Sequence, residues 1–199
     1  MKKVKDHYSR QARHDSYPAR SVYKLKEMDR RFRLLRPGQK VLDLGASPGS
    51  WTLLAAQKVQ ANGMVVAVDL NEPAVSFPEQ VRFVQSNILN DEQAREQVLN
   101  LAPFDLVLSD MAPRTTGIKI TDQARSHELA REAFELAREI LIPGGTLVVK
   151  IFEGPDVQDL GRDMKGCFKR VKHFKPKSSR PESKEIFLIG MELVQQSYK

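Results

Sequence analysis

One cysteine, one tryptophan and an aromatic content of 7% leave the 199-residue chain with few of the usual marks of a secreted or membrane-bound protein. The lone Cys167 cannot close an internal disulfide; it suits a reducing compartment, and its simplest role is that of a buried, inert thiol. No apolar run approaches the roughly 20 residues that a membrane span needs. The N-terminal stretch MKKVKDHYSRQARHDSYPARS lacks the apolar segment of a secretory signal. Its basic character would suit an organelle transit peptide, but Asp6 and Asp15 speak against that reading. A cytoplasmic protein is expected. The four histidines, His7, His14, His127 and His173, are scattered without ligand spacing, so no metal site is expected.

What is present is charge, unevenly placed. The net charge is +7. Residues 1 to 40 carry 13 Lys/Arg against 4 Asp/Glu, the middle of the chain to residue 150 carries 9 against 14, and the remainder 10 against 7. Two basic ends thus enclose an acidic middle. Folded onto one face, the ends would make a positive surface suited to a phosphate backbone; left apart, they would be plain solvated charge. With 41% hydrophobic residues the chain can bury one sizeable core, and a single domain over residues 1–199 is expected, with 1–17 as a basic N-terminal extension.

Apolar, β-rich runs alternate with helical patterns. KVLDLG (40–45), MVVAVDL (64–70), VRFVQS (81–86), FDLVLSD (104–110) and GTLVVKIF (145–152) read as strands covered on both faces. The clearest helix is 121–142, whose Ala124, Leu129, Ala133, Leu136, Ile140 and Leu141 form a stripe, with Thr121 placed to cap it and PGG to stop it. A further helix, DVQDLGRDMKG, and two β-like runs, CFKRVKHF and EIFLIGMEL, follow. This order is α/β: a mostly parallel sheet ending in an antiparallel pair.

VLDLGASPGSW, residues 41–51, carries the first chemical signal. A strand running into a glycine-bearing turn and a helix places Gly45 and Gly49 at the carboxyl ends of the strands, where nucleotide-like ligands bind. Asp69 ends the next strand, 20 residues after Gly49. There a carboxylate can accept both hydroxyls of an adenosine ribose. Ser47 stands where a dinucleotide fingerprint needs its second glycine. A nicotinamide-dependent oxidoreductase is disfavoured on that ground, and S-adenosylmethionine, which has no phosphate, fits better. Asp110 and Lys150 close the fourth and fifth strands beside the same crevice; their alternative is a structural ion pair at the sheet edge.

ARSVYKLKEMDRRF, VLDLGASPGSW, VVAVDL, DLVLSDMAP, GGTLVVKIF and KPKSSRPESKEIFLIG together resemble the FtsJ family of ribose 2′-O-methyltransferases over roughly residues 18 to 192. The resemblance implies a Rossmann-like S-adenosylmethionine-dependent methyltransferase fold, a seven-stranded sheet with its last strand antiparallel. It maps the family's Lys-Asp-Lys-Glu tetrad onto Lys24, Asp110, Lys150 and Glu185. Viral cap methyltransferases share that tetrad, but the flanking words look like the cellular ribosomal RNA enzymes.

A ribose 2′-hydroxyl is a weak nucleophile, so transfer needs in-line placement and removal of the proton as the carbon–oxygen bond forms. The resemblance implies Lys150 as general base, Asp110 orienting it near the donor, Lys24 as a neighbouring ammonium, and Glu185 positioning Lys24 and the hydroxyl. Lys150 could instead act as an electrostatic steering group. For S-adenosyl-L-methionine, the resemblance implies that Gly49 and Trp51 border the donor and Asp69 holds its ribose, with Gly45 and Asp110 alongside. Two positions depart from the family. Asn87 stands where an aspartate usually accepts from the adenine amino group, an acceptor role that an amide oxygen retains, and Ser50 replaces a usual second glycine.

The partner implied is RNA, most readily a uridine in large-subunit ribosomal RNA within the large ribosomal subunit; no DNA and no membrane are expected. Arg10, Arg13, Arg20 and Arg33, with Lys175, Lys177 and Arg180, are candidates for phosphate contacts. No separate RNA-binding module is recognisable, so RNA shape would govern substrate choice. A transfer RNA substrate and a non-catalytic role in ribosome assembly are the alternatives.

Overall fold

The computed structural model describes residues 7–194. The chain opens with α1 (His7–His14) and α2 (Val22–Phe32), then alternates β1 (Lys40–Leu44), α3 (Ser50–Val59), β2 (Met64–Asp69), β3 (Val81–Gln85), α4 (Glu92–Leu99), β4 (Phe104–Ser109), α5 (Lys119–Ile140) and β5 (Leu141–Phe152). It closes with α6 (Asp156–Cys167), β6 (Phe168–Phe174) and β7 (Glu185–Leu193). The seven strands form one sheet in the order β3-β2-β1-β4-β5-β7-β6. β7 inserts between β5 and β6 and runs antiparallel to both, while β1 to β5 pair in parallel.

Both faces of the sheet are covered, which is why its central strands are apolar almost without break. Leu42, Leu44, Val107 and Val149 point into a core shared with α4, α5 and α6. Val41, Val65, Leu106, Leu108 and Val148 point the other way, toward α1, α2 and α3. Two buried charged side chains interrupt this pattern in the central strands: Asp43, fully buried in β1, and Lys150 in β5.

Three features of the chain differ from the sequence reading. Residues 7–14 of the basic N-terminal segment form a helix not expected from the sequence: α1 buries Ala12 in the α2/α3 core, and the Tyr17 hydroxyl donates to Gln57 Oε1 at 3.1 Å. Residues 1–6 lie outside the described part of the chain. α5 starts at Lys119, two residues before Thr121, with no side-chain cap. In place of a cap, the buried Asp122 accepts from the Thr116 amide (2.7 Å), the Thr116 hydroxyl (2.9 Å) and the Gly117 amide (3.2 Å), and so ties the preceding loop to the helix. Those bonds hold its carboxyl below the usual range. Finally, α5 ends at Ile140 and β5 begins at once at Leu141, so the PGG segment lies inside a strand. It is accommodated by a shift of register between Phe104↔Leu141 and Leu106↔Thr146, with Gly144 at φ +84°.

Candidate active site

The carboxyl ends of β1, β2, β4 and β5 lie along one edge of the sheet and bring Gly45, Asp69, Asp110 and Lys150 to it. The β1–α3 turn is shaped by its glycines. Gly45 has φ +78°, and a Cβ there would come within 2.8 Å of the Met111 amide nitrogen. Gly49 has φ +113°, and its Cβ would come within 2.9 Å of Val75. Both glycines are therefore required by backbone conformation and by packing against protein. Asp69 braces the same turn: its Oδ2 accepts from the Ser47 amide at 2.9 Å, and its Oδ1 from the Asn71 amide at 2.8 Å. A carboxylate has about four lone-pair sites, so acceptor capacity is left over for a ribose.

Lys150 and Asp110 form the first of two ion pairs. The Lys150 ammonium lies 2.9 Å from Asp110 Oδ1 and donates to the Asp110 carbonyl at 2.5 Å, with its side chain 6% exposed and that of Asp110 17%. Lys24, on α2, pairs with Glu185 at the start of β7, 2.6 Å from its Oε1, with side chains 13% and 12% exposed. The antiparallel register sets the two pairs side by side. Lys150 faces Phe187 and Phe152 faces Glu185, so Lys150, Phe187 and Glu185 share the sheet face that α2 covers. Lys24 Nζ lies 6.0 Å from the centre of the Phe187 ring. Lys24 from α2, Lys150 from β5 and Glu185 from β7 thus lie on the sheet face of the buried Phe187, with Asp110, just after β4, paired to Lys150.

The other residues singled out in the sequence are spread around this centre. Asn87 lies in the loop after β3, joined to β2 by the Ser86 amide donating to the Asp69 carbonyl at 2.9 Å, and its own Oδ1 accepts from the Leu89 amide at 3.3 Å. Trp51 is buried at 3% exposure: its Nε1 donates to the Ser21 carbonyl at 2.9 Å and its ring lies 5.7 Å from that of Phe187. Trp51 packs in the α2/α3 core, where it seats α2, and with it Lys24, against the sheet. Of the basic residues, Arg10, Arg13, Arg33, Lys177 and Arg180 are exposed. The Arg20 guanidinium donates to the Ser178 carbonyl, and Lys175 pairs with Glu153 at 3.2 Å.

Asp43 was missed in the sequence, although a carboxylate inside VLDLG is itself the signal. It accepts from the Thr52 hydroxyl at 2.6 Å, and its other oxygen, Oδ1, meets no hydrogen-bond donor among the described residues. Burial, joined by the negative charges of Asp110 and Asp69 and opposed by the Thr52 bond, pushes its carboxyl up to about 7. Three acids, Asp43, Asp69 and Asp110, are therefore close enough to sense one another at this edge.

Over residues 17–193 the sequence matches the model of the FtsJ-like methyltransferase family. The chain belongs to that family. Among curated FtsJ-like relatives, "Ribosomal RNA large subunit methyltransferase E" of Nitratidesulfovibrio vulgaris is 58% identical over 190 residues, covering 95% of this chain and 93% of the relative. The protein of the same name from Oleidesulfovibrio alaskensis is 53% identical, covering 96% and 93%. A crystal structure of a ribosomal RNA methyltransferase from Plasmodium falciparum superposes with a TM-score of 0.77 at 26% identity, covering 90% of this chain and all of that one. Human methyltransferase-like protein 13, solved with S-adenosylhomocysteine, shares the fold alone at 14% identity and a TM-score of 0.62, covering 89% and 84%. The seven-stranded sheet is thus the methyltransferase sheet, with S-adenosylmethionine as the cofactor.

Proposed function

We propose that this FtsJ-like methyltransferase transfers a methyl group from S-adenosylmethionine to a ribose 2′-oxygen of large-subunit ribosomal RNA in the cytoplasm. The single observation that carries the mechanism is the pairing of Lys150 with both Asp110 acceptors next to the Lys24–Glu185 pair. The names of the relatives support the substrate.

The residues at the sheet edge fit the cofactor: Asp69 would hold the ribose hydroxyls, Asn87 the adenine amino group, and Asp110 would lie near its positive charge. Bound there, S-adenosylmethionine supplies an electrophilic methyl on a sulfonium sulfur. Lys150 is the general base. With Nζ donating to the Asp110 carbonyl and lying beside the Asp110 carboxylate, a neutral amine keeps a lone pair, and this is the position that meets the 2′-hydroxyl. As the 2′-oxygen takes up the methyl group, its proton would pass to Lys150 Nζ, and Asp110 would balance the resulting ammonium. Lys24, held by Glu185, directs N–H donors at the ribose oxygen and stabilises the charge that develops there. The basic α1 and α2 and the 175–184 loop provide the phosphate contacts.

The test is methyl transfer from labelled S-adenosylmethionine to large ribosomal subunits, naked ribosomal RNA and transfer RNA, followed by alkaline hydrolysis. A methylated 2′-oxygen cannot attack its neighbouring phosphate, so the label should persist in an uncleaved dinucleotide derived from ribosomal RNA. Label on a base would overturn the proposed chemistry, and label confined to transfer RNA would overturn the substrate.

A further inference from the structure

We propose that Glu27 is a positioning residue for methyl transfer, acting through the backbone of residues 177–179 on Glu185 and Lys24. The inference rests on the role given to that pair above. Glu27 lies on α2, three residues from Lys24, so the same stretch of helix presents both side chains. Its Oε2 accepts from the Lys177 amide at 2.8 Å and its Oε1 from the Ser178 amide at 2.8 Å. The Arg20 guanidinium donates to the Ser178 carbonyl between these anchors. Ser178 itself is buried, so this part of the polar loop is docked onto α2. The next residue completes the path: the Ser179 hydroxyl donates to Glu185 Oε1 at 3.0 Å, the same oxygen that lies 2.6 Å from Lys24 Nζ.

Two consecutive amide donors converging on one side chain demand a carboxylate, because both of its oxygens accept. A glutamine of the same length would turn an NH₂ toward one of the two amides. The loop would then lift at 177–178, Ser179 would move off Glu185, and Glu185 would be free to swing, taking Lys24 with it. Glu27 touches none of the reacting atoms. Its effect therefore passes through Glu185.

A double-mutant cycle tests this. Glu27→Gln, Glu185→Gln and the double variant are compared in single-turnover methyl transfer to large ribosomal subunits, together with KM for the RNA substrate and affinity for S-adenosylmethionine. Glu27→Gln is expected to slow the single-turnover rate about tenfold, with cofactor affinity within about twofold, and to slow the Glu185→Gln enzyme by less than about twofold further. Should Glu27→Gln fail to fold, Ser179→Ala, which leaves the Glu27 clasp intact, enters the same cycle with the same expected non-additivity. A change in KM for RNA alone, or independent multiplication of the two losses, would overturn the proposal and make the clasp an RNA-docking or purely structural device. If Glu185→Gln leaves the rate unchanged while transfer still occurs on ribose, the role of the Lys24–Glu185 pair itself is refuted.

Discussion

Lys150 stands directly opposite Phe187 across the antiparallel β5–β7 pair, and the same phenyl ring lies under the Lys24 ammonium. This places two lysines on one buried apolar surface, each held by a single carboxylate from a different strand, Asp110 for Lys150 and Glu185 for Lys24. In the proposed mechanism the first is the proton acceptor and the second a cationic donor, kept apart in role while sharing a site.

Replacing Lys150 by methionine keeps the length of the side chain and removes the nitrogen. Methyl transfer should fall by about 10²- to 10⁴-fold, the range for loss of a positioned general base. The affinity for S-adenosylmethionine, measured calorimetrically, should stay within a few fold, because the proposed ribose and adenine contacts lie on β2 and after β3. A variant retaining more than a tenth of the native rate would count against Lys150 as the base and leave positioning as the source of the rate.

How much of this was legible beforehand divides along a physical line. Strands β1, β2, β4 and β5 were readable because burial on both faces leaves unbroken apolar runs, and the strand-end acids followed from the topology. The pairing of Glu185 with Lys24 came only from the family resemblance, because it depends on β7 entering between β5 and β6, a register no local pattern encodes. The start of α5 was misplaced for a related reason: Thr121 has the look of a cap, but Asp122 satisfies the loop from inside the helix. Nor did any local pattern announce that Trp51, a border of the donor site by resemblance, would bond to Ser21 and lie against Phe187.

Trp51 is the chain's single tryptophan, which makes its environment measurable. Trp51→Phe should cost about 1–3 kcal/mol in urea unfolding, from lost packing and the lost bond to Ser21, and should change cofactor affinity far less. In the native protein the emission should be that of a buried indole and shift to the red in the unfolding transition. Emission already at the exposed position under native conditions would contradict this packing.

Asp43 makes the fold sensitive to pH. The ordinary carboxyl value is 3.8, and burial raises it in the folded protein to about 7. Between those values the native state holds a proton that the unfolded chain has lost, so Asp43's contribution to stability falls as pH rises through the window and levels off above it. Asp43→Asn removes the titration while keeping an acceptor for Thr52. Denaturant unfolding from pH 4 to 8 should show the native protein losing stability relative to this variant by on the order of 4 kcal/mol. Parallel curves for the two proteins would show that Asp43 is not protonated in the folded state.

Asp69 has a double task, since it braces the Ser47 and Asn71 amides and is the proposed ribose acceptor. Asp69→Asn exchanges one acceptor oxygen for a donor nitrogen. The loss of a charge-assisted acceptor predicts S-adenosylmethionine binding weaker by about 1.5–3 kcal/mol, roughly 10- to 150-fold. Single-turnover rates at saturating cofactor should recover most of the native value, because Asp69 touches neither the methyl nor the 2′-oxygen. A kcat defect that persists at saturation would move Asp69 from cofactor binding to a role in shaping the site.

Asn87 is where this chain departs from the FtsJ pattern, and it offers the converse experiment. Its Oδ1 accepts from the Leu89 amide at 3.3 Å, a long bond that leaves the oxygen available as an acceptor for an exocyclic amino group. Its NH₂ offers that group nothing, because two donors cannot bond each other. Asn87→Asp supplies a second acceptor and a charge at the same position. Hydrogen bonds to an ionised acceptor are roughly twice as strong as neutral ones, so affinity for S-adenosylmethionine should rise by about 2- to 10-fold, with S-adenosylhomocysteine gaining by the same factor because the adenine is common to both. The equality of the two gains is the decisive reading: a gain limited to the sulfonium form would mean that the new charge acts on the sulfur at long range, and no gain at all would place the adenine away from residue 87.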